Sequence, residues 1–167
     1  MTFADLTMER YSSRSYTDEP VSEENIESIL EAGRMAPTAK NLQPVRVIVA
    51  DTPESIARIG KAAGPYGATL ALIVVADTSK AWVRPQDGKN FGDIDASIVT
   101  TQMMYRAQEL GLGSVWIGYF DPAVVKEAFG LGETEEASAI LAVGHRADET
   151  SSNHGNRKPM SEFASRV

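Results

Sequence analysis

Arg10 and Arg14 stand four residues apart in RYSSRSY (residues 10–16), with Ser12 and Ser13 between them. Two guanidiniums, hydroxyls and free loop amides are the parts of an anion site suited to a phosphate, because arginine's planar fork donates paired hydrogen bonds to an oxyanion. The plainer reading is that both arginines are surface charges facing Glu9, Asp18 or Glu19, pairs that are individually worth little. Near the other end, NRKP (residues 156–159) supplies Arg157 and Lys158 in a segment without a regular pattern. Alone it reads as a solvated basic tail; with the first pair, it is consistent with both ends of the chain meeting one phosphate. A third stretch, APTAKNLQPVRV (residues 36–47), sets Thr38, Lys40, Asn41 and Gln43 in a turn bracketed by two prolines. Polar side chains there either cap the chain's own backbone or meet something that is not protein.

Composition narrows the classes. The 167 residues suggest one domain over 1–167, and 43% hydrophobic content is that of a globular protein. Sixteen basic against 23 acidic residues leave a net charge of −7, which argues against nucleic acid or an anionic membrane as partner. Cysteine is absent, so disulfides, thiolate chemistry and cysteine metal sites are excluded. His145 and His154 are the only histidines, too few for a histidine-built metal centre. With no long apolar run or signal-peptide pattern at the N-terminus, the expected location is the cytoplasm.

The elements that must position these residues follow from periodicity. Thr2 to Asp5 has capping-box spacing and opens a short helix ending near Arg10. Ser22 caps a second helix, with Ile26, Ile29, Leu30 and Gly33 on one face, that stops before Pro37. Val45–Ala50 reads as a buried strand, Pro53–Ala63 as a helix, and Leu70–Ala76 as a strand central in its sheet. A polar loop, 77–92, carries Trp82 and Phe91. From Asp93 to Leu110 the pattern is helical, with Ile94, Ile98, Val99, Met103, Met104, Ala107 and Leu110 leaving little polar face. A helix so widely apolar is buried in the core or in a subunit interface. Ser114–Phe120 reads as a third strand, Asp121-Pro122 starts a helix that Gly130 closes, and Ala139–Val143 is a fourth strand. Helices and strands mix without strict alternation, which gives an α+β fold.

Four motifs in order then carry a resemblance over nearly the whole chain. ERYSSRSY is similar to the opening arginine–serine–arginine motif of the nitroreductase family of FMN-dependent oxidoreductases, in its compact single-domain form. EAGRMAPTAKNLQPVRVIV resembles that family's alanine-proline-serine, asparagine and glutamine-proline segment. DASIVTTQMMYRAQELGLGSVWIGYFD resembles its central helix, glycine turn and third strand, and GNRKP its C-terminal basic pair. Departures are Tyr11 where many relatives have a second basic residue, Thr38 for serine, Val45 for an aromatic residue, and Trp116 where proline or a smaller residue is frequent.

The resemblance implies a central mixed β-sheet flanked by helices, with the long buried helix at the interface of a homodimer. It implies FMN as cofactor, NAD(P)H as hydride donor, and a nitroaromatic, quinone or flavin as acceptor in a ping-pong cycle. The implied cofactor-binding residues are Arg10, Tyr11, Ser12, Arg14, Pro37, Thr38, Ala39, Asn41, Gln43, Trp116, Ile117, Gly118, Arg157 and Lys158. The turn at 37–43 would serve the flavin held mainly by the other chain. No side-chain acid or base stands out, so no catalytic residue is named and no metal is expected. Asp95 is expected to cap or orient the central helix, while Trp82 and Tyr66 are candidates for covering the open flavin face. A different flavin reaction on the same scaffold, oxidative or dehalogenating, and a non-catalytic flavin-binding or sensor protein are the alternatives.

Overall fold

In the computed structural model, which describes residues 2–167, β-strands and helices alternate around one four-stranded sheet. The strands are β1 (Val45–Ala50), β2 (Leu70–Asp77), β3 (Gly113–Ile117) and β4 (Glu135–Gly144), in spatial order β1-β2-β4-β3. The helices are α1 (Phe3–Glu9), α2 (Glu23–Arg34), α3 (Pro53–Ile59), α4 (Gly92–Glu109), α5 (Pro122–Phe129) and α6 (Met160–Phe163). Caps form where the sequence places them: Thr2 closes a capping box on α1, Ser22 accepts from Asn25 N–H, and Asp121 accepts from Ala123 N–H. Gly130 ends α5 with φ 63°, a left-handed conformation that glycine adopts at no side-chain cost.

Strand alternation builds two cores. Leu70, Leu72, Val74 and Ala76 of β2, with Ala139, Leu141 and Val143 of β4, face α2 and α4. Ala71, Ile73 and Val75, with Ile140 and Ala142, face the layer containing α3 and α5. Period-two geometry divides one apolar run between two faces, so β2 is apolar at every position and central.

Five expectations change. α3 stops at Ile59, and residues 60–62 form a turn instead of continuing the helix to Ala63. All four strands pair antiparallel, and the parallel component of the expected mixed sheet is one bridge, Ser12 to Ser114, on the outer edge of β3. β1 is an edge strand in which only Ala50 is fully buried; Arg46 projects outward and forms a two-bond pair with Glu135 (2.6 and 2.7 Å). β4 starts at Glu135, four residues earlier than Ala139, because its polar beginning pairs with the end of β2. Register shifts there, with Val74 opposite Ala139 and Val75 opposite Ala137, so Ser138 is the extra residue of a bulge. Its hydroxyl donates to Asp93 on α4 (2.7 Å). The ladder from β3 to β4 ends at Ile117–Ile140, two residues short of that bulge, and Gly118, Tyr119 and Phe120 lie outside the strand.

α4 crosses one face of the sheet and buries Ala96, Val99, Thr100, Met103 and Ala107. Its opposite face, with Ile94, Ile98, Thr101 and Tyr105, borders an apolar cavity of about 510 Å³ that Phe3 closes at one side. At the strand exit, a Cβ on Gly144 would sit 2.9 Å from Cδ1 of the buried Tyr16 ring. A buried ring cannot swing aside as a flexible chain end can. Gly144→Ala is therefore expected to destabilise the fold by about 1–3 kcal/mol, read as a lower urea midpoint; an unchanged midpoint would contradict this packing.

Candidate active site

Residues 12–17 leave α1 as an extended segment laid against two elements at once. Ser13 N–H donates to Ser114 O (3.0 Å), Thr17 N–H to His145 O (2.9 Å), and Ala147 N–H returns to Ser15 O (2.9 Å). The strip is thereby wedged between the start of β3 and the exit of β4. Around it lies a cavity of about 350 Å³ whose walls are Arg10, Tyr11, Ser12 and Arg14 on one side and Ser151, Asn153, His154 and Arg157 on the other. The chain's two ends do converge.

Three guanidiniums share this cavity, and none forms an ion pair among the described residues. Arg10 Nε is buried without a hydrogen-bond partner. Arg14 reaches only Ser12 O (3.3 Å) and Arg157 only Asn156 O (2.9 Å). In a chain with a surplus of acids, three gathered and unneutralised arginines are an anion cage. Lys158 is not among the lining residues.

The cage is framed by polar contacts that sequence spacing did not single out. Arg146 lies over the Tyr11 ring (5.1 Å to its centroid) and donates to Leu112 O (2.7 Å) and Gln108 Oε1. His154 Nε2 donates to Met8 O (2.6 Å), and its ring meets Tyr11 edge-on (6.2 Å between centroids). Tyr11 donates its hydroxyl to Asp148 O (2.8 Å). Burial, then the neighbouring Asp148 charge, pushes its phenol up from the ordinary value, so it remains a neutral donor.

The turn at 37–43 sits elsewhere. Its short 3₁₀ segment, Ala39–Asn41, is tied to the N-terminal end of α4 by Asp95, whose Oδ1 accepts from Ala39 N–H (2.9 Å). Asp95 therefore orients this turn and does not cap its own helix; it is 1% exposed and its second oxygen has no partner among the described residues. Thr38 Oγ1 accepts from Gln43 N–H (3.0 Å), and Gln43 Nε2 donates to Asn41 O (3.3 Å). Lys40, Asn41 and Gln43 have φ of 53°, 56° and 51°. The left-handed region costs a non-glycine residue on the order of 1 kcal/mol each, and such strain collects at functional sites. Asn41 and Gln43 are exposed, with Pro37 beside them.

Trp82 adjoins this turn. Lys40 Nζ lies 5.7 Å from its ring centroid, and Trp82 packs edge-on against Phe91 (4.7 Å). Tyr66 precedes β2, whereas Trp82 follows it, so within one chain the two stand at opposite ends of an eight-residue strand. On β3, Trp116 packs against the core on the α4 side and Ile117 against the other core, so at Ile117 only the backbone is free to meet a ligand. Gly118 has open space around it, and Tyr119 is 97% exposed. Among the described residues no cluster of acids and histidines could hold a metal ion, and no helix is long and apolar enough to cross a membrane.

Comparison with known proteins gives these features a context. The family model described as Nitroreductase family matches residues 7–65 and 60–145. A Bacillus subtilis protein named FMN reductase (NAD(P)H) is 33% identical over 158 residues, covering 83% of this chain and 64% of its own length. The crystal structure of a nitroreductase family protein from Clostridium difficile superposes with a TM-score of 0.95 at 44% identity, covering 99% of this chain and 98% of that one. An FMN-dependent nitroreductase from the same species gives a TM-score of 0.78 at 28% identity, with 89% and 90% covered.

An anion cage makes a direct demand. Inorganic phosphate at about 100 times its Kd should stabilise the protein by about 2.7 kcal/mol, seen as a raised melting temperature. Arg10→Ala and Arg157→Ala should abolish the gain. A response no larger than that to chloride at equal ionic strength would show that the cavity does not select phosphate.

Proposed function

Because the chain belongs to the nitroreductase family, we propose that it works as an FMN-dependent oxidoreductase whose flavin sites are completed by a second copy. FMN is the cofactor and NAD(P)H the electron donor. The unneutralised cage of Arg10, Arg14 and Arg157 carries this assignment, since a doubly charged phosphate is what three free guanidiniums and a serine hydroxyl suit. When bound, FMN supplies hydride chemistry, taking reducing equivalents from NAD(P)H and passing them to a nitroaromatic, quinone or flavin acceptor in a ping-pong cycle.

The chain's own residues bind and orient. Arg10, Ser12, Arg14 and Arg157 would hold the phosphate, with Tyr11 as a neutral donor at its rim. Trp116 and the open backbone at Gly118 would lie along the ring, where the absence of a side chain permits close approach. Pro37, Thr38, Ala39, Asn41 and Gln43 would line a ring held mainly by the partner. Distance supports that division: the turn is fixed near the N-terminal end of α4, and Arg146, stacked on Tyr11 of the cage, is held just beyond the other end. From Asp95, which holds the turn, to Glu109 at the other end, α4 rises about 21 Å at about 1.5 Å per residue. The apolar face of α4 is where a second copy would cover Ile94, Ile98 and Tyr105, in an interface of at least about 2,000 Å². In this reading all 167 residues form one domain, acting in the cytoplasm where NAD(P)H is available.

Two measurements test the assignment. Loss of one charge-assisted hydrogen bond costs about 1.5–3 kcal/mol, roughly 10- to 150-fold in affinity. Arg10→Ala should therefore purify depleted of flavin, as its absorbance spectrum would show; full FMN occupancy at low cofactor concentration contradicts the phosphate site. Trp82→Ala should alter Michaelis constants for acceptors of different size and leave FMN occupancy intact. Unchanged kinetics would place Trp82 outside the substrate path.

A further inference from the structure

Asp148 lies just past β4, at the root of the C-terminal tail, and its carboxylate meets no guanidinium. Oδ1 accepts from Ser13 Oγ (2.5 Å), Oδ2 accepts from Arg14 N–H (2.6 Å), and its own carbonyl accepts from Tyr11 OH (2.8 Å). Three of the four residues from 11 to 14 thus hang on one residue more than 130 positions downstream. Burial pushes the carboxyl up, but the bonds from Ser13, Arg14 N–H and Tyr11 outweigh it and hold Asp148 below the usual carboxylate range. It stays ionised at neutral pH, close to a cage for anions.

A bare carboxylate in that place would repel a phosphate and compete for the arginines. Here it does not compete for the arginines. Its oxygens are taken by Ser13, Arg14 N–H and Tyr11, and it is not among the residues lining the cavity. Its effect is geometric. Ser13 is fully buried on Asp148, and in an extended segment the residues on either side then point the other way. Ser12 and Arg14 are those residues, and both line the cavity. The same contact fixes where the tail begins, while His154 on Met8 O fixes it six residues later, so that Ser151, Asn153 and Arg157 form the opposite wall.

We propose that Asp148 is the positioning residue of the phosphate site, shaping both walls of the cage without touching the ligand. The proposal rests on the FMN reading, and riboflavin, which lacks the phosphate, separates the two. Kd values for FMN and riboflavin are measured by flavin fluorescence on the full-length chain and its variants. For Asp148→Asn, FMN affinity should fall about tenfold while riboflavin affinity stays within about twofold, because only phosphate contacts are disturbed. Ser13→Ala removes one of the bonds without changing charge and should shift FMN alone in the same direction by a smaller factor. If Asp148→Asn fails to fold, Ser13→Ala decides. An unchanged FMN-to-riboflavin ratio overturns the proposal, and so does an equal loss for both flavins, which would mark a general structural role. If the unsubstituted chain itself binds riboflavin as tightly as FMN, the phosphate site fails as well.

Discussion

The length of α4 is the constraint on which the rest depends. Its buried side is fixed to the sheet through Ala96, Val99, Met103 and Ala107, so its two ends cannot approach each other. Asp95 near one end holds the turn at 38–41, and the Leu112 carbonyl just beyond the other receives Arg146, which lies over the Tyr11 ring. One helix thus keeps two polar surfaces apart, which the proposed function assigns to two halves of one site. The cage gathers three arginines, whereas the turn offers exposed amides. A two-fold pairing along the apolar side of α4 would set the cage of one copy against the turn of the other.

Each half is held by long-range contacts that oppose a local cost. In the turn, three non-glycine residues in the left-handed region are stabilised by Asp95 on Ala39 N–H and Thr38 on Gln43 N–H. In the cage, mutual repulsion among Arg10, Arg14 and Arg157 is opposed by pinning their backbone: Asp148 holds Arg14, the Ser13–Ser114 bond holds the strip to β3, and His154 ties the tail to α1. Preorganisation of this kind leaves the guanidiniums lining the cavity with most of their hydrogen-bonding capacity unused.

Much of this was legible in the sequence where local rules govern. The caps at Thr2, Ser22 and Asp121, the stop at Gly130, and the central place of β2 each follow from a few adjacent residues. Strand edges were less so. Val45–Ala50 is apolar enough to look buried, but only pairing shows that it has one neighbour. Glu135 and Glu136 look like loop residues until Arg46 is seen across the sheet, and nothing local marks Ser138 as a bulge. The arginines of the cage could be named from their motif. Asp148 and His154 could not, because their contacts with residues 8–14 join opposite ends of the chain. Lys158, next to Arg157 in sequence, is not among the residues lining the cavity.

A site divided between two copies can be tested by complementation. One variant carries Arg10→Ala with Arg14→Ala, the other Thr38→Ala with Asn41→Ala, so that each pure protein lacks one half of both of its sites. Unfolding and refolding the two together should return NAD(P)H oxidation, because a mixed dimer contains one site with both halves intact. With random pairing, about one quarter of all sites are restored, half of the dimers being mixed and each holding one good site. Activity in the refolded mixture no higher than the mean of the two separate variants would mean that cage and turn belong to different functions, and would contradict the divided site.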